Sequence, residues 1–294
     1  MKIKHLLCFI ALCLFFTPGK AQQLSVMTLR NGATVYIWED KSKPDVFGMI
    51  AFKVGSVDDP EQYTGLAHYL EHVMFKGTQT IDALDWEKEK PIYEKIIAKY
   101  DERAALSDPA AREAIDKEIN DLTREAAQYA AGNEFSLLVD HMGGQGLNAS
   151  TGYDQTEYHN SFPPSQLEKW LEIYSERLID PVFRGFQTEL EAVYEEYNMY
   201  NDDRGSRMRE FIYEQAFGDH PYARPIIGLP EHLKNPQLSK LIDFYNTWYG
   251  PQNMSIILVG NIDAKEAIPM IRDKFERVPR RAEIHREKKP VSQF

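Results

Sequence analysis

The chain has 294 residues, of which 43% are hydrophobic and 27% are charged. This balance is typical of a folded globular protein and excludes a disordered or collagen-like chain. The formal net charge is −11 at pH 7. Because a surface of this sign repels polyanions, we expect no nucleic-acid partner.

The first 21 residues differ from the rest of the chain. Basic residues precede an apolar run over 6–16, and small residues follow it up to Ala21, which is the pattern of a secretory signal peptide. The run is too short for a bilayer core of roughly 30 Å, so we expect cleavage; a membrane anchor is the alternative. Cleavage after Ala21 removes three of the 34 basic residues and none of the 45 acidic ones, which leaves a charge of −14. It also removes Cys8 and Cys13, so the sequence predicts a secreted or periplasmic protein that is held together without disulfides.

The mature chain opens with predicted strands. Asn31-Gly32 separates two short apolar runs and is a strong hairpin signal, and 46–54 is predicted to be a third strand. Thr64 is predicted to cap a helix that continues through Phe75.

A stretch rich in Glu, Lys and Ala, from about Asp82 to Ala131, predicts a helical hairpin. Its one break lies at 107–109, where Asp108 caps and Pro109 begins the second arm. Apolar residues recur at helical spacing in both arms, so each arm can pack on the other or on a neighbour. We interpret 82–131 as an insertion rather than a domain core.

Strands and helices are intermixed beyond the insertion. Residues 146–158 are predicted to be a strand with a tight turn near Gly152, and Ser165 with Glu168 forms a predicted capping box. Further elements are helices at 189–200, 207–217, 238–249 and 263–275, and a strand at 254–259. This order of elements predicts an α+β fold around one sheet.

His68, Glu71 and His72 form the group that dominates the chemistry. Two histidines at i and i+4 lie one helical turn apart, close enough to meet one Zn²⁺, and Glu71 can take a proton from a water at that ion. At 100° per residue these three side chains fall roughly opposite the apolar stripe that begins at Leu66. A solvated polar face is the alternative, since a pattern of five residues also arises by chance.

A catalytic zinc needs a third protein ligand, and carboxylate is a common one. Glu195 and Glu196 lie side by side in the predicted helix 189–200. The angular spacing puts Glu195 on a solvated face and Glu196 on a partly apolar face with Glu189, where unpaired carboxylates are costly. We therefore predict Glu196 as the ligand, with Glu189 near the site. An ordinary acidic amphipathic helix is the alternative.

Several segments together resemble the pitrilysin, insulysin and mitochondrial processing peptidase family, whose members carry an inverted zinc motif. These segments are Gly65–His72, Phe75–Thr78, Gly143-Gly144, Asn148–Thr151 and Glu189–Glu196. The resemblance spans about Leu24 to Pro279 and is far more specific than the five-residue motif alone. It implies one mixed, largely antiparallel sheet covered by helices, as in the metal-bearing half of a pitrilysin-type clamshell.

Carried over residue by residue, the resemblance implies one zinc ion per chain, with His68, His72 and Glu196 as ligands. It implies Glu71 as the general base and Glu189 as a supporting acidic residue. The chain is thus expected to be a zinc metalloendopeptidase that acts on peptides or unfolded polypeptides.

The resemblance also implies where substrate binds. Residues Asn148, Ala149, Ser150 and Thr151 resemble the edge strand that takes the substrate backbone as an added strand, a mode that makes little demand on substrate sequence. Phe75 is expected to line the same chamber.

The chain departs from the family pattern in two ways. His72 and Glu196 lie unusually far apart, and the insertion 82–131 accounts for the excess, as in secreted bacterial members with such an insertion. The family's working unit pairs homologous domains, whereas residues 22–279 resemble only the zinc-bearing first one. Residues 280–294 are then a charged linker or the start of a second domain. We expect a second homologous domain or subunit to complete the chamber.

Two other functions are compatible with parts of this pattern. A noncatalytic chamber subunit would bind peptide without turnover, and the complete set of predicted ligands argues against it. An exported zinc-storage or structural protein would need four ligands at a closed site, whereas the sequence offers three.

Overall fold

The computed structural model describes residues 23–281, 283–284 and 286. The predicted signal peptide, residues 1–21, lies outside the described residues, as does most of the predicted linker 280–294. Within the described ranges, no helix has both the length and the apolar character needed to cross a membrane.

A six-stranded sheet forms the centre of the protein. Its strands are β1 (Gln23–Thr28), β2 (Thr34–Glu39), β3 (Val46–Phe52), β4 (Gln145–Thr151), β5 (Thr156–Phe162) and β6 (Met254–Gly260). They lie side by side in the order β1-β2-β6-β3-β5-β4, which makes β4 an edge strand among the described elements. The β2–β6 pair is parallel, and the other described pairs are antiparallel. The prediction of a mixed, largely antiparallel sheet is confirmed.

Helices lie around this sheet. They are α1 (Leu66–Val73), α2 (Trp86–Ala105), α3 (Pro109–Ala126), α4 (Glu134–His141), α5 (Leu167–Glu176), α6 (Phe186–Asp202), α7 (Arg204–Phe217), α8 (Pro230–Leu233), α9 (Leu238–Trp248) and α10 (Ala264–Phe275). The four helices predicted beyond residue 188 are confirmed as α6, α7, α9 and α10, each end within three residues of its predicted position.

One face of the sheet is buried, and the part of the other face formed by β1, β2 and β6 carries exposed apolar side chains. Val35 and Ile37 of β2 are fully buried and pack into the core with helix residues. Their neighbours Tyr36 and Trp38 point the other way and are 36% and 40% exposed. The exposed large side chains on this side, here called the outer apolar face, are Leu24, Val26, Tyr36, Trp38 and Val259. They are adjacent in register, since Trp38 pairs with both Leu24 and Val259.

The helix α1 begins differently from its predicted start. The prediction that Thr64 caps it is wrong: Gly65 precedes the helix at φ 90°, and the Thr64 hydroxyl instead lies 2.7 Å from Nδ1 of His232. The cap is Asp59, whose two carboxylate oxygens accept the N–H groups of Gly65 and Ala67 at 2.7 and 2.9 Å. Because Gly65 adopts a left-handed conformation, Asp59 rather than the adjacent Thr64 accepts the free N–H groups at the start of the helix.

The helical hairpin is confirmed as α2 and α3. Asp108 caps the second arm by accepting the N–H of Ala111, and Pro109 is its first residue. Isoleucines on both arms are buried, among them Ile96 and Ile119. An isolated bridge between Ala83 and Ala130 closes the base of the insertion.

The predicted capping box at Ser165 and Glu168 is wrong. Residues Pro164–Gln166 form a 3₁₀ turn, and α5 follows at Leu167 without a side-chain cap. Because Ser165 lies inside that turn rather than at its start, its hydroxyl is not placed to accept the first free N–H groups of the helix.

Candidate metal centre and active site

The structure brings the two predicted ligand helices together. Nε2 of His68 and Nε2 of His72 lie 3.6 and 3.5 Å from the same carboxylate oxygen, Oε2 of Glu196. Glu196 comes from α6, more than a hundred residues after the histidines of α1. In the described part of the chain, these three residues form the one cluster of histidine and acidic side chains close enough to share a metal ion.

The donor set fits zinc. Two imidazole nitrogens and one carboxylate oxygen are common ligands of catalytic zinc, bound at about 2.0 to 2.2 Å. At such bond lengths a tetrahedral ion separates its ligands by roughly 3.3 Å, and the N–O separations of 3.5 and 3.6 Å in the structure approach this value. The side chains are only partly exposed, at 12% for His68, 25% for His72 and 29% for Glu196.

The helical spacing explains why these side chains face the same way. Leu66, Leu70 and Val73 of α1 are buried in the core, which turns the opposite side of the helix to the cavity. On α6, Glu195 is exposed, whereas Glu196 is half-buried and faces His68 and His72.

Glu71 lies beside this cluster in a partly buried position. Its Oε2 accepts the hydroxyl of Thr151, on the edge strand β4, at 2.5 Å. Burial raises the pKa of Glu71, and the hydrogen bond from Thr151 opposes this effect. A carboxyl with a raised pKa is better matched to taking and returning a proton near neutral pH.

Glu189 lies one turn into α6 and contacts His72 from the other side. Its Oε2 is 3.5 Å from Nδ1 of His72, and its Oε1 is 2.5 Å from Nζ of Lys76. Once the Nε2 proton is lost, an Nδ1–H donated to Glu189 would leave the Nε2 lone pair of His72 free for a metal ion, the tautomer needed for a metal ligand.

The two histidines differ in their protonation. Burial lowers the pKa of His68 to about 4, with a further contribution from His72, so its imidazole is neutral at pH 7. For His72 burial acts in the same direction but is outweighed by Glu189 and Glu196, and its pKa rises to about 9. A metal ion would therefore displace a proton from His72 on binding.

The cluster opens into a cavity of about 710 Å³. The predicted substrate-binding residues Phe75, Asn148, Ala149, Ser150 and Thr151 all line it. Asn148 and Ser150 are exposed, and Ala149 and Thr151 are half-buried, as expected for an alternating edge strand. The structure thus brings every predicted site residue to one cavity.

Some residues at the cavity were missed from the sequence. Tyr200 is one turn beyond Glu196 on α6 and hydrogen-bonds to it, which helps hold the pKa of Glu196 down. The i, i+4 spacing is a signal that could have identified it. Arg209 and Tyr213 of α7 line the opposite wall, and Tyr213 stacks on Tyr153 of the β4–β5 turn. No spacing rule predicts this contact between distant elements.

The other histidines that the structure describes, His141, His159, His220 and His232, belong neither to this cluster nor to the lining of the cavity. His232 contacts Thr64, and His159 packs against Phe47. His220 packs against Tyr222 in the short turn after α7. His285 lies outside the described residues.

Comparison with known families agrees with this geometry. Residues 34–90 and 122–229, more than half of the chain, match the model for insulinase, peptidase family M16. The chain belongs to the insulinase family of peptidases. The unmatched gap between these two ranges falls inside the insertion 82–131. Residues 237–294 match a further model, described as the peptidase M16 inactive domain.

Relatives of this insulinase-family chain include named zinc proteases. It is 25% identical over 270 residues to the probable zinc protease PqqL of Escherichia coli K12, with 88% of this chain and 23% of PqqL covered. It is 24% identical over 254 residues to the zinc protease PqqE of Helicobacter pylori, with 85% and 46% covered. The chain therefore spans less than half the length of these curated relatives.

Solved structures agree on the fold. The first half of the periplasmic protease PqqL from Escherichia coli matches with a TM-score of 0.69 at 24% identity, covering 92% of this chain and 50% of that chain. Pitrilysin matches with a TM-score of 0.68 at 22% identity, covering 94% of this chain and 25% of that chain. The insulinase-family chain thus has the fold of one pitrilysin-type half domain.

Proposed function

We propose that this chain is the zinc-bearing part of an endopeptidase that hydrolyses peptides or unfolded polypeptides. The observation that carries this proposal is the convergence of His68, His72 and Glu196, with Glu71 beside them, at a cavity bordered by β4, an edge strand of the described sheet. The zinc proteases among its relatives support the same activity.

His68, His72 and Glu196 would hold one zinc ion per chain. When bound, zinc supplies an electrophilic centre and lowers the pKa of a water in its open position. Glu71 acts as the general base. Oε2 of Glu71 accepts the Thr151 hydroxyl, which holds the carboxylate in place. The carboxylate takes the proton from the attacking water and returns it to the leaving amine. Glu189 orients His72 through Nδ1.

The edge strand β4 is proposed to bind the substrate backbone. Its residues 148–151 lie beside the ligand cluster, and an extended peptide added to this edge would form main-chain hydrogen bonds that require no particular sequence. Phe75 is proposed to form an apolar part of the cavity wall.

A second homologous domain or subunit is proposed to complete the chamber. The chain covers only 23% of PqqL and 46% of PqqE, so these relatives have a large further part. The outer apolar face, which includes Tyr36, Trp38 and Val259, is the surface that we assign to this contact. Adjacent exposed apolar side chains of this size usually mark an interface. The unit 22–279 is proposed as the first domain.

A secreted or periplasmic location is proposed. The signal-like pattern over residues 1–21 and the solved structure of the periplasmic protease PqqL both support it.

The mechanism is tested by Glu71→Gln in the secreted protein. We expect zinc to remain bound and peptide hydrolysis to fall by about 10²–10⁴-fold, the usual contribution of general-base catalysis. Glu195→Gln is the matched control, because Glu195 is exposed on the same helix as Glu196 and is not a predicted ligand. Parental activity in Glu71→Gln would refute the mechanism.

The same assay separates the enzyme from a noncatalytic chamber subunit. Hydrolysis by the parental protein, alone or mixed with the homologous partner part, supports the enzyme. Peptide binding without hydrolysis, both by the protein alone and by the protein mixed with the partner part, would favour the noncatalytic binding subunit.

A further inference from the structure

A continuous set of polar contacts links the helical insertion to the candidate metal ligand His72. It begins at Glu89 on α2, whose side chain is only 2% exposed. Nε and Nη2 of Arg184 bind the two carboxylate oxygens of Glu89 at 2.6 and 2.7 Å. The remaining nitrogen of the same guanidinium, Nη1, donates to the backbone carbonyl of Lys76 at 3.2 Å.

The contacts continue through the side chain of Lys76. Its ammonium lies 2.5 Å from Oε1 of Glu189, and Oε2 of the same carboxylate lies 3.5 Å from Nδ1 of His72. Each oxygen of Glu189 therefore has its own partner, and Lys76 fixes the direction in which Glu189 approaches the imidazole. The side chain of Glu189 is 16% exposed and that of Lys76 is 36% exposed, so water reaches this pair mainly from the Lys76 side.

The position of these contacts distinguishes them from ordinary surface ion pairs. Lys76 follows the end of α1, which carries His68 and His72, whereas Glu189 lies in the first turns of α6, which carries Glu196. The Lys76–Glu189 pair thus joins the two elements whose separation sets the ligand geometry. The buried Glu89–Arg184 pair adds little net stability by itself, but its two-pronged geometry fixes the Lys76 backbone.

We propose that Lys76 is a positioning residue of the metal centre, which acts through Glu189 on His72, and that the insertion holds Lys76 in place through Glu89 and Arg184. This inference rests on the proposed function, because it assigns a role at the proposed zinc site. Partners that orient a metal-bound histidine typically account for 10- to 100-fold in metal affinity.

The test is a zinc titration of the purified protein against a competing chelator. Lys76→Met is expected to weaken zinc binding about tenfold, and Glu189→Gln by about 10- to 100-fold. The double variant should bind no more than about twofold more weakly than Glu189→Gln alone, because Lys76 acts through that carboxylate. Lys76→Arg, which keeps the charge, should recover most of the affinity.

Lys88→Met is the matched control for Lys76. Lys88 also has a close carboxylate partner, Asp85 at 2.6 Å, but it is 66% exposed on α2 and has no contact with Glu189. Its substitution should leave zinc affinity unchanged.

The part of the insertion is tested by Glu89→Gln, which is expected to weaken zinc binding several-fold through the loosened Arg184. Because Glu89→Gln leaves the buried Arg184 guanidinium without its negatively charged partner, Arg184→Lys serves as a second variant. A lysine keeps the positive charge of Arg184 but cannot bind Glu89 and the Lys76 carbonyl at the same time. Glu118→Gln is the control within the insertion, since its partner Lys99, at 2.6 Å, lies on the other arm. If a folded Glu89→Gln or Arg184→Lys variant binds zinc as tightly as the parent, the proposed role of the insertion is overturned.

The outcomes separate this inference from the proposed function. A parental protein that binds no zinc refutes the proposed metal centre itself. If the parent binds zinc and Lys76→Met binds it with the same affinity, only the inference is refuted. This holds even if the melting temperature of Lys76→Met falls, because a merely structural role for Lys76 changes stability alone. Additive losses in the double variant would also overturn it.

Discussion

Asp59 offers a prediction that follows from one buried carboxyl group. The residue is 5% exposed, and its two oxygens accept the backbone N–H groups of Gly65 and Ala67 at the start of α1. In Asp59→Ala both N–H groups lose their acceptor inside the protein. An unsatisfied buried group costs about 1–3 kcal/mol, so the loss of both acceptors should lower the free energy of unfolding by about 2–6 kcal/mol. Asp59→Asn keeps one acceptor oxygen and should lose about half as much.

The stability contributed by Asp59 should also depend on pH. Burial raises its pKa from the ordinary 3.8 to about 7, against the opposing effect of the two N–H groups. Between these values the folded protein holds a proton that the unfolded chain releases. The stabilisation is therefore complete below the unfolded pKa and is lost as the pH rises through about 7, at roughly 1.4 kcal/mol per pH unit.

Urea unfolding of the parent and of Asp59→Asn at pH 5, 6, 7 and 8 measures this term, because the asparagine does not titrate. The stability of the parent relative to Asp59→Asn should fall by up to about 2.7 kcal/mol between pH 5 and 7, enough to reverse its sign, and then level off. Asp108→Ala, which removes the exposed cap of α3, is the control for an ordinary cap and should cost about 1 kcal/mol. An advantage that stays constant from pH 5 to 8 would mean that Asp59 is ionised throughout and that the N–H groups outweigh burial.

Two further predictions concern the cavity and the sheet. Thr151→Val removes a hydrogen bond that lowers the pKa of Glu71, so the acid limb of the pH–rate profile should move to higher pH; an unchanged limb would contradict the assigned contact. Because both cysteines lie within the predicted signal peptide, Trp38→Cys gives a single thiol on the outer apolar face. Maleimide should label it at least tenfold faster in the isolated 22–294 fragment than with the partner part present, whereas Lys41→Cys, at an exposed position, should react equally in both. Equal rates for Trp38→Cys would exclude that face as the contact.

The ligand faces of α1 and α6 were predictable because helical spacing is a local property. A rotation of 100° per residue separates Glu195 from Glu196 without knowledge of any other element. The side of α1 that carries His68 follows from the apolar stripe that opposes it. The same reasoning predicted the hairpin 82–131, whose break at Asp108 and Pro109 has a strong local signal.

The start of α1 could not be predicted in this way. Thr64 has the right chemistry and position for a cap, and the sequence gives no sign that Asp59 displaces it. The left-handed conformation of Gly65 separates Thr64 from the first turn of the helix. A side chain at position 65 would also collide with the chain around Ile227, because a Cβ added to Gly65 would lie 2.5 Å from the Ile227 carbonyl oxygen. A contact with residues 160 positions away is a tertiary property that no local pattern encodes.

The contacts of the insertion show the same limit. Its isoleucine spacing predicts that the arms pack, but not on what. Glu89 appears in the sequence as one of many acidic residues of a charged helix, and its burial against Arg184 follows only from the closure of the insertion beside α6. Charged residues are almost never fully buried without a partner, so a buried glutamate can be inferred only once its arginine has been located.

The relation between α1 and α6 decides whether zinc would shape the site or bind a site already formed. The hydroxyl of Tyr69 donates to the carbonyl of Phe186, and the two rings pack with centroids 4.9 Å apart. Leu190 and Val193 of α6 are buried in the same core as Leu70. These contacts fix the helices through groups that are not metal ligands, so their register does not depend on an ion. The candidate centre is therefore preorganised by apolar packing, and removal of zinc should abolish activity while leaving the fold intact, unlike small zinc domains in which metal binding drives folding.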